Sequence, residues 1–155
     1  MKSKYKKLLE KIKFIEKGLI KIFKSSKLQH CIIVILYKGN RLPSYCVPMI
    51  RNPQPKIDIP LENNFSEVYF SALKTNPSIK DGAILIQIDS SLPILRGFSY
   101  RLFPPSYFDV SHSRNKGSGY NSALDFSNVK KVECVYYINH EGVRKFIKGK
   151  ERKLC

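Results

Sequence analysis

The chain has 155 residues, 43% of them apolar and 12% aromatic, which predicts one domain with a sizeable buried core and excludes an intrinsically disordered chain. Twenty-eight Lys plus Arg against twelve Asp plus Glu give a net charge of +16, which favours anionic partners such as nucleotides, nucleic acid or anionic lipid. The longest apolar run, Cys31 to Tyr37, is far too short to span a bilayer, and no signal-peptide pattern is present, so the expected location is the cytoplasm. The lysines are spread along the whole chain, so solvated positions account for the charge as well as an anionic partner does. Cys31, Cys46, Cys134 and Cys155 lack CxxC spacing and a histidine cluster, and are expected to be buried, reduced thiols rather than zinc ligands.

Residues 3 to 24 predict a basic amphipathic helix. Tyr5, Leu8, Leu9, Ile12, Ile15, Leu19, Ile22 and Phe23 recur at spacings of three and four, and the opposite face is almost wholly lysine. Such a helix suits docking on the domain, an anionic membrane or a partner. An interruption at Gly18 and the lack of tryptophan anchors favour docking. Residues 1–24 are therefore set apart as an N-terminal helix, and 25–155 as the main domain. Ser25 to Gln29 read as a turn and His30 to Tyr37 as a central strand rich in β-branched residues. The proline-rich stretch to Pro60 predicts a long irregular connection with an edge strand near Tyr45 to Ile50. Asn63 or Asn64 is expected to cap a helix over Phe65 to Lys74. Strands over Ala83 to Ile88 and Ile94 to Leu102, a loop over Phe103 to Asn115 and a short helix over Tyr120 to Phe126 follow. Strands near Val132 to Ile138 and Val143 to Ile147 close the domain as a hairpin turning at Asn139-His140-Glu141-Gly142. The order predicts an α/β fold with a mixed central β-sheet flanked by helices.

Two segments carry candidate chemistry. In Asn76-Pro77-Ser78-Ile79-Lys80-Asp81-Gly82-Ala83, Pro77 biases Asn76 away from helix, and Gly82 permits a backbone that other residues resist. Asp81 thus enters a tight turn just ahead of a buried strand, where a carboxylate can hold a metal ion or a ribose hydroxyl. An aspartate before glycine is also an ordinary turn former; a turn that opens a core strand favours the site reading. The second segment is Gly117-Ser118-Gly119-Tyr120-Asn121. Its backbone N–H groups and serine hydroxyl suit phosphate, Tyr120 can stack on a base or sugar, and Asn121 can hydrogen-bond it. A flexible loop is the plainer reading of the same glycines.

From Leu19 to about Lys148 the sequence resembles the diadenylate cyclase domain. The likeness rests on the strand Ile32 to Leu36, on Asn76 to Ala83, and on Gly117-Ser118 followed by Ser122-Ala123-Leu124-Asp125-Phe126-Ser127. In that family an Asp-Gly-Ala motif serves the reacting ribose hydroxyl and its metal, and Gly-Thr-Arg-His-Arg holds the ATP phosphates. Two facing domains each present one ATP, and the product is cyclic di-AMP. Here Asp81, Gly82 and Ala83 match the first motif, and Gly117 and Ser118 match the Gly-Thr of the second. The Arg-His-Arg triplet falls on Gly119, Tyr120 and Asn121, and none matches. The histidine often found before Asp-Gly-Ala is Lys80, the Ser-Glu after the second motif is Ser127-Asn128, and a later acidic position falls near Lys130 or Lys131.

Phosphoryl transfer needs fixed positive groups at the transferring phosphate and the leaving group. Neither tyrosine nor asparagine replaces an arginine fork, and lysine at position 80 or 116 is a point charge on a flexible stem. Arg114 precedes the turn. The resemblance therefore implies a degenerate, non-catalytic member of the kind understood as bacterial nucleotide sensors in stress or conflict systems. Its ligand would be a nucleotide or cyclic dinucleotide, and its partner a second copy or an effector protein. One alternative is a divergent diadenylate cyclase using Mg²⁺ or Mn²⁺ at Asp81. Another is a basic nucleic-acid-binding module, for which no helix-turn-helix, RRM or zinc-finger pattern is present. His112, among Ser111, Ser113 and Arg114, reads as a solvated loop histidine. His30 and His140 lack ligand spacing, and Asp89 and Asp125 read equally as metal helpers and as strand-end or helix-surface charges.

Overall fold

The computed structural model describes residues 2–25, 30–105 and 117–155. The first element, α1 (Lys2–Ser25), is one continuous helix that buries Ile12, Ile15, Leu19 and Ile22. Gly18 does not interrupt it. The missing side chain lets α1 approach α2 (Phe65–Thr75), since a Cβ there would lie 3.0 Å from Cβ of Phe65. The apolar stripe expected from Tyr5 onward is buried only from Ile12, and Tyr5 remains 64% exposed. The first turn contains no acidic residue to complement the helix dipole.

Among the described residues eight strands form one sheet. They are β1 (Ile32–Tyr37), β2 (Cys46–Pro48), β3 (Ile59–Pro60), β4 (Ala83–Gln87), β5 (Ile94–Leu102), β6 (Val132–Asn139), β7 (Gly142–Ile147) and β8 (Lys150–Lys153). The order is β2-β5-β4-β1-β6-β7-β8, with β3 also on β5. β1 and β4 are parallel, joined through α2, and the remaining pairs are antiparallel. The mixed sheet is the one expected from the order of elements.

Alternation along the strands divides the core into two layers. Ile32, Val34 and Leu36 of β1, Ile84 and Ile86 of β4, and Tyr136 and Ile138 of β6 pack with α1 and α2. Ile35 and Tyr37, Leu85, Val135 and Tyr137 face the other way, against α3 (Gly117–Phe126). α1 is tied to the sheet by polar contacts as well. Glu16 accepts hydrogen bonds from the Tyr136 hydroxyl at 2.7 Å and the Lys145 ammonium at 2.8 Å.

Several local expectations change. Asn64 precedes α2 without a side-chain cap bond, because its Oδ1 accepts from the Glu62 N–H instead. The segment before β4 is a 3-10 helix, Pro77–Lys80, capped by Asn76, whose side chain accepts from the Ser78 N–H at 3.0 Å. α3 starts at Gly117, three residues before the expected helix, so the Gly-Ser-Gly segment is its first turn. β3 and β8 had no clear signal: one is a two-residue bridge, the other four charged residues. Cys134 is buried, but Cys31 is exposed because it lies ahead of β1 rather than within it. Most of the expected 103–115 loop, with His112 and Arg114, lies outside the described residues, as do Lys116 and residues 26–29 of the expected turn.

Candidate functional site

A cleft of about 460 Å³ opens at one edge of the sheet. Parallel pairing of β1 and β4 puts their amino ends side by side, so His30 and Cys31 come next to Asp81 and Gly82. β5 runs antiparallel to β4, and the pairing of Ala83 with Tyr100 delivers Tyr100, Arg101 and Leu102 to the same edge. From the α3 layer, Ser118, Gly119 and Ser122 complete the wall.

The Asp81-Gly82-Ala83 turn depends on Gly82. Its φ is +92°, and an added Cβ would fall 2.7 Å from the backbone of Ser99. Ser99 is itself buried with φ +59°, at the end of a stretch where three steps of β5 oppose two of β4. That bulge turns Tyr100 and Leu102 toward the α3 layer. The Ser99 carbonyl accepts from the Met49 N–H at 2.9 Å, and its hydroxyl from Arg51 Nε at 3.1 Å. Met49 is thereby held against the cleft.

Of the residues singled out in the sequence, Asp81, Gly82, Ala83, Ser118 and Gly119 share this cleft. Gly117 is exposed and, like Asn121, is not part of its lining. Tyr120 turns the other way. Its ring packs edge-on against Phe146 at 5.1 Å and Tyr137 at 5.9 Å, and its hydroxyl donates to Glu151 at 2.7 Å. Burial and that carboxylate push the phenol up to about 12. The reason is helical geometry: residues 118, 119 and 122 share one face of α3, and residue 120 lies toward the core. Ser122 takes the lining position that had been expected of Tyr120.

His30, Cys31, Met49, Tyr100, Arg101 and Leu102 are lining residues that the sequence did not single out. Only the sheet register brings them to Asp81, and no local motif marks it. His30 accepts or donates one hydrogen bond at 3.0 Å with the Tyr69 hydroxyl. Burial, then the nearby Lys80 ammonium, lowers its pKa, with Asp81 opposing, so the imidazole is neutral at neutral pH. Cys31 Sγ lies 3.1 Å from the Tyr137 hydroxyl.

Among the described residues Asp81 is the one carboxylate in the lining, and no group of three His, Cys, Asp or Glu is placed to hold a metal. Mg²⁺ or Mn²⁺ takes oxygen donors, and the described lining offers the Asp81 carboxylate with the Ser118 and Ser122 hydroxyls, leaving phosphate and water to complete the shell. Asp89 lies at the far end of β4 and accepts from the Gly39 N–H and Gln87. Partial burial opposes its charge, but those hydrogen bonds outweigh it and lower the pKa. Asp125, read equally as a metal helper and as a helix-surface charge, is buried. Neither joins Asp81 in the cleft.

Among the described residues no helix is long and apolar enough to cross a membrane. No protein-family model matches the sequence, and no curated protein does. In three dimensions the chain is similar to a hypothetical membrane spanning protein from Bacillus cereus, with a TM-score of 0.60 and 13% identity. The match covers 94% of this chain and 64% of that one, so this chain spans under two thirds of the Bacillus protein. It is also similar to a double mutant of DacA from Staphylococcus aureus, with a TM-score of 0.56 and 16% identity, over 99% of this chain and 89% of that one. At these identities the likeness shows the fold, which is the diadenylate cyclase-like arrangement expected from the sequence.

Proposed function

We propose that the cleft binds a nucleotide or cyclic dinucleotide without converting it, and that the domain works as a sensor of that ligand. What supports this most is the convergence of the Asp81 turn with the Ser118 end of α3 on one cleft in a strongly basic chain. Lys80 and Arg101 supply its positive charge, and Ser118, Ser122 and the first amides of α3 supply donors. Ile33, Met49, Ala83 and Leu102 give an apolar surface on which a base can lie.

Catalysis asks for more. The positions matching the family's Arg-His-Arg are Gly119, Tyr120 and Asn121, and Tyr120 is packed into the core. Removing fixed positive groups of that kind costs on the order of several kcal/mol of transition-state stabilisation, hence orders of magnitude in rate. The cyclase reading keeps one supporting observation, the presence of Arg101 in the lining of the same cleft as Asp81.

A thermal-shift and titration series with ATP, GTP, NAD and cyclic dinucleotides tests the proposal. The expected result is stabilisation of about 2.7 kcal/mol by the preferred ligand at a hundred times its Kd. Mass spectrometry after incubation with ATP and Mg²⁺ or Mn²⁺ is expected to show no cyclic di-AMP. Product that forms with the natural sequence and disappears in Asp81→Asn would establish the cyclase instead. Binding of unrelated DNA or RNA that weakens steeply with salt, with no nucleotide preference, would point to a nucleic-acid module.

A further inference from the structure

At the opposite edge of the sheet a second opening, of about 570 Å³, lies between the start of α1 and the carboxyl ends of β1 and β4. Lys4, Lys7, Lys11 and Lys38 line it, over an apolar floor of Leu8 and Ile88, with the Tyr5 ring at its rim. The geometry points to a second ligand site, one that recognises a phosphorylated molecule with an apolar portion, independent of the cleft at Asp81.

The charges are the reason. Lys4, Lys7 and Lys11 follow one another at steps of three and four along one face of α1, so like charges are held close together. Lys4 and Lys7 form no ion pair with any described residue, and Lys11 donates to the Ser90 carbonyl, which fixes the ammonium without cancelling it. Lys38 is paired with Glu133 at 3.2 Å. Among the described residues Asp89 is the one carboxylate in the lining, and its oxygens accept from the Gly39 N–H and Gln87. Glu10 lines the neighbouring groove without pairing to Lys7 or Lys11. Three ammonium groups therefore surround a concave surface in which Asp89, among the described residues, offsets only one positive charge. Phosphate oxygens satisfy three such point charges at once, and the floor of Leu8 and Ile88 suits an apolar group attached to them.

The test uses the full chain with two probes. Titration with tripolyphosphate reads a soluble phosphate. Co-sedimentation with phosphatidylglycerol/phosphatidylcholine vesicles, against phosphatidylcholine alone, reads a lipid headgroup. Binding is expected in at least one arm, and the arm that binds identifies the source. The variant Lys4→Gln/Lys7→Gln/Lys11→Gln is expected to weaken it by about tenfold or more, three lost contacts of this kind being ample for that factor. Lys6→Gln/Lys13→Gln/Lys24→Gln removes the same charge from the solvent face of the helix and is expected to change it by less than about twofold. Lys80→Gln/Arg101→Gln, in the other cleft, is expected to leave it intact. Absence of binding in both arms, equal weakening by the two triple variants, or loss in the cleft variant would overturn the assignment. Nucleotide binding at the Asp81 cleft is read separately and can fail without affecting it.

Discussion

His30 shows how a single residue acquires a role from its neighbours. In the sequence it is a histidine at the start of a strand; in the fold it stands beside Lys80 and Asp81. Burial and the Lys80 charge disfavour the imidazolium, so the unfolded chain takes up the proton more readily than the folded one. The sign follows directly: this contribution to stability is present above the unfolded value near 6.5 and is lost as pH falls through the lower folded value. Urea unfolding of the natural chain and of His30→Gln between pH 7.5 and 5 checks it. The natural chain is expected to lose more stability over that range, and equal losses would show that the residue titrates as it does in the unfolded state. Legibility differs sharply between residues here. Asp81 and Gly82 were readable because a carboxylate and a left-handed turn leave a local signature. His30 and Arg101 were not, since their relation to Asp81 exists only through the pairing of β1 and β5 with β4.

Among the elements, α1 tests how far periodicity can be trusted. The apolar spacing identified the helix, but it continues past the point where the helix leaves the sheet. Leu19 is fully buried, while Tyr5 is 64% and Leu9 40% exposed. Leu19→Ala is expected to destabilise the protein by about 2–5 kcal/mol, and Tyr5→Ala or Leu9→Ala by about 0.5 kcal/mol or less. Denaturant unfolding of the three variants checks this, and similar losses at all three would mean that the whole stripe is covered. α3 carries the opposite lesson. Gly117-Ser118-Gly119 has the composition of a loop, and weak helix formers hid the first turn. Once that turn is helical, Ser122 follows Ser118 into the cleft and Tyr120 is carried into the core. The identity of the segment was legible; the face each residue presents was not. The β3 bridge and the charged strand β8 are held by pairing with β5 and β7, which no pattern of their own announces.

For the molecule as a whole, the central parallel pair sets two edges apart. The amino ends of β1 and β4 open on the mixed-charge cleft, and the carboxyl ends on a crevice rich in lysine. The sequence displayed the total charge and the lysine face of α1, but not that the docking of α1 sets Lys4, Lys7 and Lys11 beside Lys38 at the carboxyl ends of β1 and β4. The same folding joins α1 to β6 and β7 through one carboxylate. Glu16 serves both the Tyr136 hydroxyl and the Lys145 ammonium, at a junction where Lys145 is 13% and Glu16 21% exposed. The two ions are therefore mutually dependent: each is tolerable there only while the other remains. Glu16→Met alone strands a cation among apolar groups and is expected to cost on the order of 2 kcal/mol or more, whereas adding Lys145→Met should restore part of that loss. A four-protein thermodynamic cycle measures the difference, and strict additivity would show that Glu16 and Lys145 contribute independently.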